Sequence, residues 1–344
     1  MVVEELCGTP SFLLTNFLFD LVKSPRRPTF CGAVICSGST NPEGINFQFL
    51  LLTSSNSGVG SAPSAWSLSQ DRRGPKHETV TGAGNGLGRE IAIELARKGC
   101  KLAIVDVNSK GCYETVDLIT KIPSAVAKAY KTDVSSPREL QLMAVKVEKE
   151  LGPVEILVNN ASLMPMTSTP HLTNDEIETI LTVNLGSYIM TVKEFLPKMV
   201  ARKSGHVVAV AALAGMVPLP GAGIYTATKY GIMGFMEALR GELRLSDCDY
   251  IRTTVANAYL MKTSGDLPLL SDAGIMASYP GLPTPYVAEK IVRGVLYNER
   301  MVYVPKIFAL TVWLIRLLPT KWQDYMLLRF YHFDVRSSHL FYWK

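Results

Sequence analysis

The sequence predicts an α/β fold, a doubly wound parallel sheet in one domain, and three observations carry that expectation. Short apolar runs rich in β-branched residues recur at residues 102–106 (LAIVD), 156–159 (ILVN) and 206–210 (HVVAV), with further runs at 251–255 and 301–304. Such runs suit strands that are covered on both faces. Helix-length stretches lie between them, at residues 87–98, 137–151, 177–199 and 224–243. A glycine-rich turn, TGAGNGLG at residues 81–88, stands directly before the first of these helices. Strands alternating with helices imply βαβ units around a parallel sheet.

Taken in order, the chain divides into residues 1–75, an irregular N-terminal extension; residues 76–305, the α/β domain; and residues 306–344, an apolar helical tail. Within the extension, residues 11–22 (SFLLTNFLFDLV) and 45–52 (INFQFLLL) are apolar but short. A membrane-spanning helix needs about 20 apolar residues, so neither qualifies. Lys23, Arg26 and Arg27 follow the first run, an order that suits a segment lying in a membrane interface with its positive flank toward cytoplasmic headgroups. Residues 54–70 are rich in Ser, Gly and Ala and read as a linker. The strand expected before the glycine turn is poor. Lys76-His77-Glu78-Thr79-Val80 carries charge where a central strand should be apolar, which predicts a short, frayed strand or an unusual N-terminus.

Composition narrows the function classes. The chain has 344 residues, 47% of them hydrophobic and 19% charged, which excludes a disordered protein. Its formal charge of +5 is mild and no Lys/Arg block concentrates it, so nucleic acid is not an expected partner. The six cysteines form no CxxC pair and have no histidine at ligand spacing. They read as reduced thiols of a cytosol-facing protein, with no metal site.

The glycine turn is the first chemical signal. Gly82, Gly86 and Gly88 give the spacing GxxxGxG ahead of an amphipathic helix, and Asn85 and Leu87 complete the loop. Glycine there lets the main chain approach a pyrophosphate, while the helix N-terminus offers free amides and a positive dipole end. Asp106 ends the next apolar strand, where a carboxylate accepts hydrogen bonds from ribose hydroxyls and repels a 2′-phosphate. Val107 and Asn108 follow it, and neither is basic. The expected cofactor is therefore NAD rather than NADP.

A second signal lies downstream. Tyr225 and Lys229 are four residues apart and share one helix face. A tyrosine with a pKa near ~10 is a poor base at neutral pH, but a neighbouring ammonium favours its phenolate. Such a tyrosine can take a hydroxyl proton during oxidation or return it during reduction.

TGAGNGLG, Asn159-Asn160-Ala161-Ser162, Asn184 and YTATK (residues 225–229), in this order and spacing, resemble the short-chain dehydrogenases/reductases. The resemblance covers roughly Lys76 to Val304 and implies a Rossmann-like fold. It places Asn160 and Ala161 over the cofactor, with Ser162 standing where the family has glycine. It also places Asp133, beside Val134, at the adenine, and Thr263 at the nicotinamide carboxamide. Asn184 matches the family's fourth catalytic residue, which supports a water relay behind Lys229. The family's catalytic serine falls at Ala212, which has no hydroxyl, and the usual Pro-Gly after the sixth strand reads Ala258-Tyr259.

The finer resemblance is to retinol and 17β-hydroxysteroid dehydrogenases of endoplasmic reticulum and lipid droplets. It lies in residues 205–225, in 237–243 (EALRGEL) and in Tyr303-Val304-Pro305-Lys306 with the apolar stretch that follows. It implies NAD-linked interconversion of a lipophilic alcohol and its carbonyl. The substrate would be a retinoid, steroid or other lipid, met by residues 216–223 and 264–281. The enzyme would be a homodimer on the cytosolic face of the endoplasmic reticulum or a lipid droplet, with a cytoplasmic enzyme as the alternative. The rival function is a nucleotide-binding pseudoenzyme or scaffold at a lipid surface, because Ala212 replaces the serine.

Overall fold

The computed structural model describes residues 77–261, 275–277 and 281–333. The expectations for residues 1–75, for Thr263 and for most of 264–281 lie outside the described residues.

The glycine turn sits between strand β1 (His77–Thr81) and helix α1 (Gly86–Arg97). The chain continues through β2 (Lys101–Asp106), α2 (Ser109–Thr120), β3 (Val126–Lys131), α3 (Pro137–Leu151) and β4 (Ile156–Asn159). Helix α4 (Asn174–Leu181) passes through a π-helical turn, Thr182–Gly186, into α5 (Ser187–Ala201). Next come β5 (Gly205–Val210), α6 (Gly223–Leu245), β6 (Ile251–Ala258), β7 (Ile275–Ala277), α7 (Thr284–Leu296) and β8 (Met301–Val304). Two helices, α8 (Ile307–Arg316) and α9 (Thr320–Phe330), precede β9 (Tyr331–Phe333), which pairs antiparallel with β7.

Seven strands form one parallel sheet in the order β3-β2-β1-β4-β5-β6-β8. The order reverses direction at β1 and β4, so the crevice at their carboxyl ends is where a doubly wound sheet binds ligands. Two apolar clusters cover the faces. Ile91, Leu95, Ile104 and Ile291 belong to one; Leu157, Phe195, Val207 and Ile232 belong to the other. Burying each such side chain stabilises the fold by about 1.5–3 kcal/mol.

Local chemistry sets the helix starts. The Asn85, Asn108 and Ser136 side chains accept backbone amides at the N-termini of α1, α2 and α3. Thr173 and Glu176 form a reciprocal capping box on α4.

Three sequence expectations need correction. β1 is neither short nor frayed: it pairs with β2 and β4, and Glu78 is buried, accepting a hydrogen bond from the Cys100 thiol at 3.1 Å. The single helix expected over residues 177–199 is two helices meeting in a π turn, in which the hydrogen-bond ladder widens by one residue. β3 lies outside the apolar runs read as strands, because VAKAYK is an edge strand with two lysines, small alanines and mostly exposed or half-buried positions. Cys100, Cys112 and Cys248 are buried and form no disulfide.

Candidate active site

A cavity of about 750 Å³ opens at the carboxyl ends of the strands. The glycine loop and Asp106 line one end, and Tyr225, Lys229 and Ala212 line the other.

The loop is shaped by close backbone approaches. Gly82 has φ +63°, and a Cβ there would stand 2.7 Å from the Ala161 Cα. A Cβ on Gly88 would stand 2.1 Å from the Gly82 carbonyl oxygen. Gly86 differs: its φ is +56° and a Cβ would meet nothing within 4 Å, so its surface faces open space. Asn160 clamps this loop. Its amide nitrogen Nδ2 donates to the Thr81 and Gly82 carbonyls, both at 3.1 Å, and its backbone N–H donates to Thr81 Oγ1 at 3.0 Å.

Asp106 holds the loop's other flank. Its Oδ2 accepts from the Gly84 N–H and its Oδ1 from the Asn108 N–H, each at 2.9 Å. Any side chain at Gly84 would collide with this carboxylate, since a Cβ would lie 2.8 Å from Asp106 Cγ. Arg89, absent from the sequence reading, also lines the cavity. Its guanidinium is committed to Glu114 at 2.9 Å, to Thr115 Oγ1 at 3.0 Å and to the Gly84 carbonyl. Asp133 and Val134 border the same end, and the Asp133 carboxylate accepts from the Ser135 N–H and hydroxyl at 2.8 and 2.7 Å.

At the far end, α6 presents Tyr225 and Lys229 from successive turns, both buried. The Lys229 ammonium donates to the Val210 carbonyl at 3.2 Å and lies 5.3 Å from the Tyr225 ring centroid. Burial pushes its pKa down to about 7. The turn Leu213–Gly215 packs tightly on α6: a Cβ on Gly215 would stand 2.9 Å from the Lys229 carbonyl oxygen.

Asn184, fully buried in the π turn, bonds the Leu163 backbone in both directions, accepting at 2.7 Å and donating at 2.8 Å. It also donates to Thr228 Oγ1 at 3.3 Å, and Thr228 in turn donates to the Tyr225 carbonyl at 2.7 Å. Asn184 thus reaches α6 through Thr228, a residue the sequence did not single out.

Ala212 borders the cavity and packs against the apolar cluster of Ala214, Leu219, Ala222 and Tyr225. Of the segment expected to meet substrate, Leu219 lines the cavity, joined by Met164, Leu213, Leu260 and Met261. This wall is apolar. The residues after β6 that replace the expected Pro-Gly also contribute, because Tyr259 lines the cavity and stacks on Phe308 of α8 at 4.7 Å between ring centroids. Ser162 borders the cavity as well.

Comparison with known proteins agrees with this geometry. The short chain dehydrogenase family profile matches residues 76–271. Human epidermal retinol dehydrogenase 2 is 32% identical over 242 residues, covering 70% of this chain and 78% of the relative. Rat (Rattus norvegicus) estradiol 17-beta-dehydrogenase 11 is 33% identical over 245 residues, covering 71% and 80%. A short-chain dehydrogenase/reductase from Burkholderia phymatum, solved in complex with NAD, superposes with a TM-score of 0.63 at 22% identity. That alignment covers 71% of this chain and 93% of the other, and it establishes the shared fold.

Proposed function

The chain belongs to the short-chain dehydrogenase family, and from that premise we propose that it interconverts a lipophilic alcohol and its carbonyl using NAD. The observation that carries the reading is the single cavity joining the glycine loop and Asp106 to Tyr225 and Lys229. The loop fits a dinucleotide. Gly86 leaves open space beside the α1 N-terminus, and the close approaches at Gly82 and Gly88 set the shape of the loop that leads into it. The loop residues would hold the pyrophosphate, Asp106 the adenosine ribose, and Lys229 the nicotinamide ribose. Bound nicotinamide supplies hydride transfer at the carbinol carbon.

Tyr225 then takes the hydroxyl proton in oxidation and returns it in reduction. The Lys229 ammonium, 5.3 Å from its ring, favours the phenolate. The Asn184–Thr228 bridge ties the π turn to the backbone of this helix. The apolar wall of Met164, Leu213, Leu219 and Leu260 suits a retinoid, steroid or similar lipid. NAD is preferred over NADP because the Asp106 carboxylate repels a 2′-phosphate while Glu114 already neutralises Arg89. In a direct titration, NAD should bind more tightly than NADP, and Asp106→Ala should narrow the gap. Equal affinities in the wild type would refute the preference.

The proposed setting is a lipid surface. Among the described residues no helix is long and apolar enough to cross a membrane. Yet α8 and α9 leave Ile307, Leu310, Trp313, Leu317, Trp322 and Tyr325 each more than half exposed. Lys306, Arg316 and Lys321 outnumber the lone acid, Asp324, across residues 306–326. Aromatic and apolar side chains flanked by cations suit the headgroup region of an anionic membrane. Flotation of the intact chain with anionic vesicles tests this, and Trp313→Glu should weaken it. Exposed Leu181, Ile189 and Leu245 on α4, α5 and α6 support a homodimer, to be checked by sedimentation.

A second reading, a nucleotide-binding scaffold, is favoured by one observation: Ala212, which shares the cavity lining with Tyr225, offers a methyl where the family has a hydroxyl. Turnover of retinoids, steroids and long-chain alcohols by the wild type decides between the two.

A further inference from the structure

The Lys229 ammonium lies near two tyrosine rings. The second is Tyr188, whose ring centroid is 5.9 Å from Nζ. Tyr188 sits in α5 just beyond the π turn that carries Asn184, and it is 1% exposed. Its hydroxyl donates to the Val210 carbonyl at 3.0 Å. That carbonyl also accepts from Lys229 Nζ, at 3.2 Å. A carbonyl oxygen has two lone pairs, so one backbone acceptor at the end of β5 serves both donors. Asn184, in the adjoining π turn, spends its side chain on Leu163 and Thr228.

We propose that Tyr188 is a positioning residue for Lys229. By sharing the Val210 carbonyl and offering its ring face, it fixes where the ammonium sits beside Tyr225 and how firmly it keeps its proton. The inference deepens the enzymatic reading and rests on it for the role of Lys229, though the contact itself does not depend on turnover.

The groups facing Lys229 are few. Tyr225 comes from its own helix, Tyr188 from α5, and β5 supplies the uncharged Val210 carbonyl. Asn184 in the π turn does not titrate. Among the described residues the titratable neighbours are therefore the two tyrosines. Burial holds the Tyr188 phenol well above its ordinary range, with the charge of Tyr225 adding to the effect, so Tyr188 stays protonated and donates throughout the working range. Removing its hydroxyl leaves the Val210 carbonyl to Lys229 alone and favours the ammonium. Removing the ring as well withdraws a cation–π attraction, which acts within about 6 Å, and favours the neutral amine.

The two truncations should therefore differ, Tyr188→Phe moving Lys229 upward and Tyr188→Leu returning it toward the wild-type midpoint, a pattern that lost packing alone does not produce. The experiment uses the full chain labelled with carbon-13 at lysine Cε. The Lys229 signal is assigned by its absence from Lys229→Arg, and the lysine is titrated in wild type, Tyr188→Phe and Tyr188→Leu. Tyr188→Phe should raise the Lys229 midpoint by about half a unit, the worth of one hydrogen bond. Tyr188→Leu should fall below Tyr188→Phe by a similar amount. One common midpoint overturns the proposal. If Tyr188→Leu does not fold, wild type against the near-isosteric Tyr188→Phe decides. In a working enzyme the pH profile of kcat/KM should move with the lysine. Absent turnover would sink the enzymatic reading while leaving the lysine titration to judge Tyr188.

Discussion

At the nucleotide end of the cavity the backbone holds the geometry: Gly82 and Gly88 permit contacts that no side chain could survive, and Asn160 locks the loop through main-chain carbonyls. At the catalytic end the geometry comes from side chains on separate elements. Tyr225 and Lys229 stand on α6, Tyr188 on α5 and Asn184 on the π turn. The loop glycines Gly82, Gly86 and Gly88 keep the spacing on which the family resemblance rests, whereas the cavity lining departs from the family pattern at Ser162, Ala212 and Ala258-Tyr259. A backbone-built site tolerates almost no substitution, while a side-chain-built site can lose a member and keep its frame.

The largest effect that sharpens this contrast concerns Lys229. Its pKa in the folded chain, about 7, lies below the ordinary lysine value of 10.5. Between those values the unfolded chain binds the extra proton, so stability rises with pH across that window. From pH ~6.5 to ~9.5 the wild type should gain on the order of 2–3 kcal/mol over Lys229→Met in urea unfolding. Parallel curves would mean that the lysine is not buried as described.

Next comes the backbone end. Gly88→Ala drives a methyl to 2.1 Å from the Gly82 carbonyl oxygen. It should cost about 1–3 kcal/mol in stability and abolish nucleotide binding by calorimetry. Retained affinity would mean that the loop yields as easily as the side-chain end.

Restoring the missing hydroxyl probes the other end. Ala212→Ser should raise kcat about tenfold, part of the roughly 10²–10³-fold that one such donor is worth. The oxygen enters beside Tyr225 with little repacking. Unchanged turnover would show that the wall does not miss its serine.

The smallest effect falls on α8. Arg316 donates to the Met216 carbonyl and to the Tyr230 hydroxyl, and Tyr230 itself bonds Met216 at 2.6 Å. This exposed latch steadies the segment leading to Leu219. Arg316→Gln should raise KM for the lipid substrate a few-fold and leave kcat nearly unchanged, as suits exposed contacts worth under about 1 kcal/mol. A fall in kcat with constant KM would contradict it.

What the sequence disclosed follows the same division. The glycine loop, Asp106 and the Tyr225–Lys229 pair were legible because each depends on local spacing: a turn, a strand end, one helix face. Tyr188 was not, because its hydroxyl meets a carbonyl 22 residues away and only the fold brings them together. Arg316 reaches Met216 across 100 residues. The β1 strand looked too polar, since nothing local reveals that Glu78 finds the Cys100 thiol. The π turn was invisible for a related reason: an extra residue in a helical turn leaves the apolar pattern of residues 177–199 nearly intact.

The proposed reaction requires Tyr225 to move the substrate proton in the cavity that would also hold NAD. Formation of reduced nicotinamide, followed by its absorbance, should be measured for wild type and Tyr225→Phe against retinoids, steroids and long-chain alcohols. The account predicts turnover of at least one lipophilic alcohol by the wild type and a loss of about 10²–10⁴-fold in Tyr225→Phe, with NAD affinity retained. Tight NAD binding by both proteins with no turnover by either would contradict it and make the chain a nucleotide-binding scaffold.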